Sequence, residues 1–193
     1  MINESSPQES TQGSLPASRL PPSAGKVPQA AQQYLSEATV ARDAIGLLRE
    51  DHRKAEMLFN RFAQVRLGDS VDQKFEVARQ VCGDLLIHMA IEEAIFYPKV
   101  RQALMENMLV DEAEHEHDGA KDLIKEIGDI DPADPLFDIK MEALAQQITE
   151  HVEQEETVVF PKMLVAPIDL MALGQELASA KSDMRSQLGL PSE

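Results

Sequence analysis

The sequence predicts an all-α protein: an antiparallel four-helix bundle with an additional C-terminal helix and a disordered N-terminal tail. Three observations predict it. Apolar residues recur at three- and four-residue spacing in four long stretches, as in helices that bury one face. The stretch HMAIEEAIFYP at His88–Pro98 returns 63 residues later as HVEQEETVVFP at His151–Pro161, so the chain repeats a helix pair. Residues 1–38, rich in Ser, Pro and Gln, lack such periodicity and cannot offset the entropy of ordering a chain. The expected organisation is a tail over 1–38, a bundle over 39–165, and an amphipathic helix with a short tail over 166–193.

The first helix should run from Thr39 or Val40 to Leu67, where Gly68 stops it, with a stripe of Ile45, Leu48, His52, Ala55, Phe59 and Phe62. The second, Val71 to Asn107, carries the stripe Val81, Leu85, His88, Glu92 and Ile95, and Pro98 should kink it or end a first segment. The third, Val110 to Ile127, closes at Gly128; its stripe of Val110, Ala113, His117, Ala120, Ile124 and Ile127 repeats the spacing of the first helix 65 residues on. After the loop DIDPADP, the fourth helix, Leu136 to Leu164, carries Leu144, Ile148, His151, Glu155 and Val158. A last helix, Leu170 to Leu188, has apolar Leu170, Leu173, Leu177, Met184 and Leu188; it could cover an open side of the bundle or supply a homodimer face.

Each of the four stripes has polar residues in its middle. One histidine per helix (His52, His88, His117 and His151) falls on the seam, and Glu92 and Glu155 follow two of them by four residues, one turn further on the same face. The fifth histidine, His115, points the opposite way and belongs to solvent. A carboxylate taken out of water costs several kcal/mol unless it is paired or coordinates a metal. Converging in a bundle interior, these six side chains make a metal site, and their two-fold symmetry argues for two ions bridged by Glu92 and Glu155. Nitrogen and oxygen donors without thiolate suit Fe, Mn or Zn. Glu93 and Glu156, rotated about 100° from the ligands, are either second-shell acceptors or solvated, and solvation is the simpler expectation. Glu56, four residues after His52, is a candidate extra ligand or a surface residue, and Tyr97 a second-shell candidate.

The formal charge of −16 repels nucleic acid phosphates and anionic membrane surfaces, so neither is expected as a partner. The single cysteine, Cys82, reads as a small buried thiol, and the absence of an apolar leader or long apolar run points to a cytoplasmic setting.

Together DAIGLLREDHRKAEMLF, HMAIEEAIFYP, EHDGAKDLIKEI and HVEQEETVVFPK resemble the hemerythrin-like, HHE cation-binding domain family, over about residues 42–165. The segment DLMALGQELASAKSDM resembles an extra helix that bacterial members carry after the bundle. The resemblance implies an up-down four-helix bundle around a non-haem, usually di-iron, centre that binds oxygen or related ligands. It carries the ligand roles onto His52, His88, Glu92, His117, His151 and Glu155. Oxygen-carrying hemerythrins have a further histidine four residues along the third helix, where this chain has Lys121. That leaves one metal with an open position, or one closed by Glu56 or Tyr97. In those carriers the carboxylate lies five residues after the fourth-helix histidine, which would be Glu156; the His-plus-four spacing of the first copy favours Glu155.

The function expected is that of a di-iron protein that binds or reacts with oxygen, peroxide or nitric oxide. The alternative is an iron- or oxygen-responsive regulatory module without turnover.

Overall fold

The computed structural model describes residues 42–68 and 70–188. The disordered tail expected over 1–38 lies outside the described residues. The described residues form helices and connecting turns, with no strand among them. Helix α1 spans Ala44–Val65; its start falls later than Thr39 or Val40 because Asp43 is extended and its side chain accepts a hydrogen bond from the Gly46 N–H at 2.7 Å. Such a cap satisfies an otherwise orphaned donor and contributes about 1 kcal/mol. Helix α2, Val71–Ile91, is capped by Ser70.

Past Ile91 the chain does not stay α-helical. A π-helical turn spans Glu92–Phe96, and the Tyr97 N–H bonds to the carbonyl of Glu92, five residues back. Helix α3, Tyr97–Leu104, then resumes with Pro98 in its first turn, where a missing N–H costs least. The sequence called for a kink or a stop at Pro98; the helix instead adds a residue just before it. One consequence corrects the expected stripe. The extra residue advances the register, so Phe96 is buried where Ile95 was expected to be, and Ile95 is only half-buried.

The second helix ends at Leu104 and not at Asn107, because Met105 adopts a left-handed conformation (φ 56°) that turns the chain directly into α4, Asn107–Asp129. Helix α5, Pro135–Gln154, is capped by Asp134. It repeats the device of the first half: a π-turn at Glu155–Val159, then α6 at Phe160–Val165, with Val159 buried in place of the expected Val158. Helix α7 runs Leu170–Gln187 behind an Asp169 cap that accepts from Met171 and Ala172.

Helix α7 covers the bundle. It lies against α1 and α2, with Leu173 and Leu177 buried in the core. Its approach to the start of α1 needs a glycine, since a Cβ on Gly174 would sit 2.3 Å from the Arg42 carbonyl oxygen and 2.8 Å from the Ala44 nitrogen. The core is split. One apolar cluster gathers Ile45, Leu48, Phe96, Tyr97, Phe160 and Leu173, and the other Leu58, Phe62, Leu85, Phe137, Met141 and Leu144. Along α1, His52 falls between Leu48 of the first cluster and Ala55 of the second, which puts a polar layer between two apolar ones. No helix among the described residues is long and apolar enough to cross a membrane.

Candidate metal centre

The polar layer brings His52, His88, Glu92, His117, His151 and Glu155 together. All six are buried, the two glutamates at 0 % exposure. Each half contributes the same parts. On α2, His88 Nε2 lies 3.2 Å from Glu92 Oε2, one turn along, and the same oxygen lies 3.4 Å from His117 Nε2 across the bundle. On α5, His151 Nε2 lies 3.7 Å from Glu155 Oε2, which is 3.3 Å from His52 Nε2. Each carboxylate therefore spans from a histidine of its own helix to one of the opposite pair. His52, His88, Glu92 and Glu155 bring donor atoms within 4.8 Å of one another, as do Glu92, His117 and His151.

These donors are only partly satisfied by one another: His117 Nε2 lies 3.1 Å from His151 Nε2, and the others have no such partner. His52 Nε2, His88 Nε2, both oxygens of Glu92 and Glu155 Oε2 are buried without a hydrogen-bond partner. An uncompensated buried carboxylate costs several kcal/mol, and a row of orphaned donors aimed at a common space is what a cation would complete. The residues present fit a metal pair.

The outer faces of the rings are also built. His52 Nδ1 meets Glu156 Oε1 at 3.0 Å, His117 Nδ1 meets Glu93 Oε1 at 2.8 Å, and His151 Nδ1 meets Glu116 Oε2 at 2.8 Å. The fourth, His88 Nδ1, lies 3.5 Å from Asp51 Oδ2, and neither of those atoms has a hydrogen-bond partner. Because a carboxylate only accepts, the first three partners favour the tautomer protonated at Nδ1, which turns the Nε2 lone pair inward. Solvation was the simpler expectation for Glu93 and Glu156; both are instead half-buried against imidazoles of facing helices. Asp51 and Glu116 were missed, although each directly precedes a seam histidine and they stand 65 residues apart, like the histidines themselves.

The remaining candidates separate cleanly. Glu56 is exposed and belongs to neither donor group, and His115 is exposed as expected. Glu155 faces the interior, with Glu156 on the outer nitrogen of His52. Lys121 pairs with Glu93 at 2.6 Å and so steadies the partner of His117 from outside. Tyr97 is inside: its hydroxyl donates to Glu155 Oε1 at 3.1 Å and lies 3.2 Å from His117 Nε2. Phe160 holds the equivalent place in the other half, its ring stacked 5.6 Å from His52, so the phenol oxygen breaks the internal symmetry.

Electrostatics separates the two glutamates. Burial and the neighbouring Glu155 push Glu92 well above the usual carboxylate range. Burial acts on Glu155 too, but the imidazoles of His52, His151 and His88 outweigh it and hold Glu155 low. The two carboxyls are thus driven in opposite directions, Glu92 toward its neutral form and Glu155 toward its ionised form. Burial and the two glutamates raise Tyr97, which remains a donor. Burial and the adjacent His151 lower His117 to about 2. Beside the layer, a cavity of about 20 Å³ is lined by His52, His88 and His151 on one side and by Asp51, Lys181 and Arg185 on the other. That is room for one or two water-sized molecules.

Comparison with known proteins places this arrangement. The sequence model of the hemerythrin HHE cation binding domain matches residues 43–163. A crystal structure of a hemerythrin HHE cation binding domain-containing protein from Mycobacterium kansasii superposes with a TM-score of 0.66 at 19% identity, over 76% of this chain and 89% of that one. A protein of Nostoc sp. named DNA nickase is 29% identical over 145 residues, 74% of this chain. The chain spans 40% of that relative's length.

Proposed function

The chain belongs to the hemerythrin HHE cation-binding family, and from that premise we propose that it is a non-haem di-iron protein whose centre binds, or reacts with, oxygen or a related small ligand such as peroxide or nitric oxide. The observation that carries this reading is the set of inward atoms, His52 and His88 Nε2, both oxygens of Glu92 and Glu155 Oε2, left without hydrogen bonds in a buried layer, with a carboxylate beside the outer nitrogen of each ring. His52 and His88 would hold one ion, His117 and His151 the other, with Glu92 and Glu155 shared between them. Iron bound there would supply reversible redox chemistry and coordination positions that six side chains do not fill. Mn or Zn would suit the same donors less distinctively.

The cavity beside the layer, with room for one or two water-sized molecules, suits a small ligand. Tyr97, kept protonated, places a hydroxyl among the proposed metal ligands Glu155 and His117, outside that cavity's lining. The lone Cys82, half-buried where the sequence led to a buried thiol, fits a reducing, cytoplasmic setting. The nicking activity in the cyanobacterial relative's name is not carried over, because this chain matches a minority of that protein and its charge of −16 opposes phosphate contacts.

Metal analysis of protein purified without added metal, paired with absorption spectra before and after reduction and exposure to air, tests the reading. About two irons per chain, with near-ultraviolet bands that bleach on reduction and return in air, is the expected result. Zinc alone, one ion, or none would overturn it. The second reading, an iron- or oxygen-responsive module without turnover, draws on α7, whose Lys181 reaches the carboxylate beside His88. It predicts that metal changes hydrogen exchange across 170–187; identical exchange with and without metal would remove it.

A further inference from the structure

The four outer contacts of the imidazoles are not equal. Three span 2.8–3.0 Å, whereas Asp51 Oδ2 stands 3.5 Å from His88 Nδ1. In the internal repeat Asp51 corresponds to Glu116, each directly preceding the seam histidine of its helix. Glu116 is one methylene longer and reaches His151 at 2.8 Å. Asp51 has a shorter reach, and Lys181 Nζ, delivered by α7, holds its far oxygen at 2.5 Å, whereas Lys121 holds the very oxygen of Glu93 that faces His117 and leaves that contact at 2.8 Å. Helix α7 has no counterpart in the repeated helix pair. The one loosened contact is thus the one where the added helix meets the centre.

We infer that Lys181 makes α7 a tuner of the centre: by holding and neutralising Asp51, it limits how strongly Asp51 accepts from His88, and so keeps His88 the weakest donor of the four. Lys181 and Asp51 are positioning residues that act through His88; this rests on the reading of His88 as a ligand. A carboxylate acceptor on the outer nitrogen makes an imidazole a stronger ligand, and losing such a partner typically costs 10–100-fold in metal affinity. Removing the lysine acts oppositely, because Asp51 is then released toward His88 and a positive charge leaves the neighbourhood of the cation site.

The structure supplies its own control. One turn further along α7, Arg185 pairs with Asp84 of α2 at 2.6 Å, and Asp84 is not among the carboxylates that face an imidazole. Both cations line the same cavity and both join α7 to the bundle. A merely structural role would make the two replacements equivalent.

The test uses the full chain with zinc as a diamagnetic probe. Zinc dissociation constants are measured by chelator competition, and imidazole 1H–15N spectra are recorded with and without zinc. Lys181→Met should tighten zinc binding several-fold and move the His88 Nδ1–H resonance downfield, with the other three imidazoles unmoved. Asp51→Asn should weaken binding by no more than about tenfold, the low end for loss of an outer partner, Lys181→Arg should restore wild-type values, and Arg185→Met should leave affinity within twofold. Equal weakening by Lys181→Met and Arg185→Met, or an unmoved His88 resonance in a protein that binds zinc, overturns the inference. Wild-type protein that binds no zinc or iron would instead remove the reading of His88 as a ligand, and the tuning role with it.

Discussion

Replacing Tyr97 by Phe makes the two halves of the centre chemically alike, because Phe160 already stands in the equivalent position. The ring keeps its volume and its place 5.4 Å from His117, so packing is nearly unchanged. What is lost is the 3.1 Å hydrogen bond to Glu155 Oε1, after which neither oxygen of that buried carboxylate has a hydrogen-bond partner. A hydrogen bond to a charged group contributes about 1.5–3 kcal/mol, and Glu155 is the member of its pair that the imidazoles hold toward the ionised form. The metal-free variant should therefore lose about 2 kcal/mol in urea unfolding, a midpoint lower by roughly 1 M for a slope near 2 kcal/mol/M. With zinc bound the cost should shrink, since the carboxylate then has a cation for a partner. A loss below about 0.5 kcal/mol without metal, or an equal loss with and without it, would refute the account of Glu155 as a carboxylate held by a phenol and awaiting a cation.

Acidification should remove the contribution that neutral His117 makes to the metal-free protein. Unfolded histidine takes up a proton near pH 6.5, whereas folded His117 resists it down to about 2, so this contribution falls as pH drops through 6.5, by up to about 2 kcal/mol at pH 5. Burial lowers His88 in the same sense, while the raised His52 and Glu92 act in the opposite direction, so the check is the stability gap between wild type and His117→Gln in urea titrations; a gap that does not narrow from pH 8 to pH 5 would contradict it. Burial pushes the Cys82 thiol up to about 11, leaving about one thiolate in a thousand at pH 8, so iodoacetamide should label it at least 100-fold more slowly in the folded protein than in urea. Comparable rates would show an accessible thiol. Gly174→Ala should cost about 1–3 kcal/mol by forcing α7 away from the Arg42 carbonyl and should raise hydrogen exchange across 170–187; an unchanged melting temperature would mean the helix shifts freely.

The helices and the inward histidines were legible because both obey one period. A histidine on an apolar stripe declares its face, and four of them in a duplicated pattern declare a common interior. What periodicity could not carry was an inserted residue. Ile95 and Val158 continue the stripes on paper, yet the π-turns bury Phe96 and Val159 in their stead. The signal was present only indirectly, as a proline at the same offset after each Glu-Glu pair. The sharp turn at Met105 was hidden for a different reason: nothing between Leu104 and Asn107 is a glycine or proline, and a positive φ at methionine is not written in composition. Glu93 and Glu156 were hard to read because an acid 100° off a seam looks like a surface residue until a facing helix supplies an imidazole. Of the differences between halves, Tyr97 against Phe160 stood open in the sequence, while Asp51 against Glu116 is one methylene whose meaning depends on where α7 comes to rest.

The split core has a consequence for traffic. With an apolar cluster at each end of the bundle, an ion or small ligand travelling along the axis would have to cross packed Phe, Leu and Met side chains. The cavity lies instead on the flank, where residues of α1, α2 and α7 meet. Under the proposed function, loading and ligand exchange would then be side-on events. Their rates should follow the opening of the ion pairs at Asp51 and Asp84, and should be indifferent to fraying at the Met105 and Asp131–Asp134 turns.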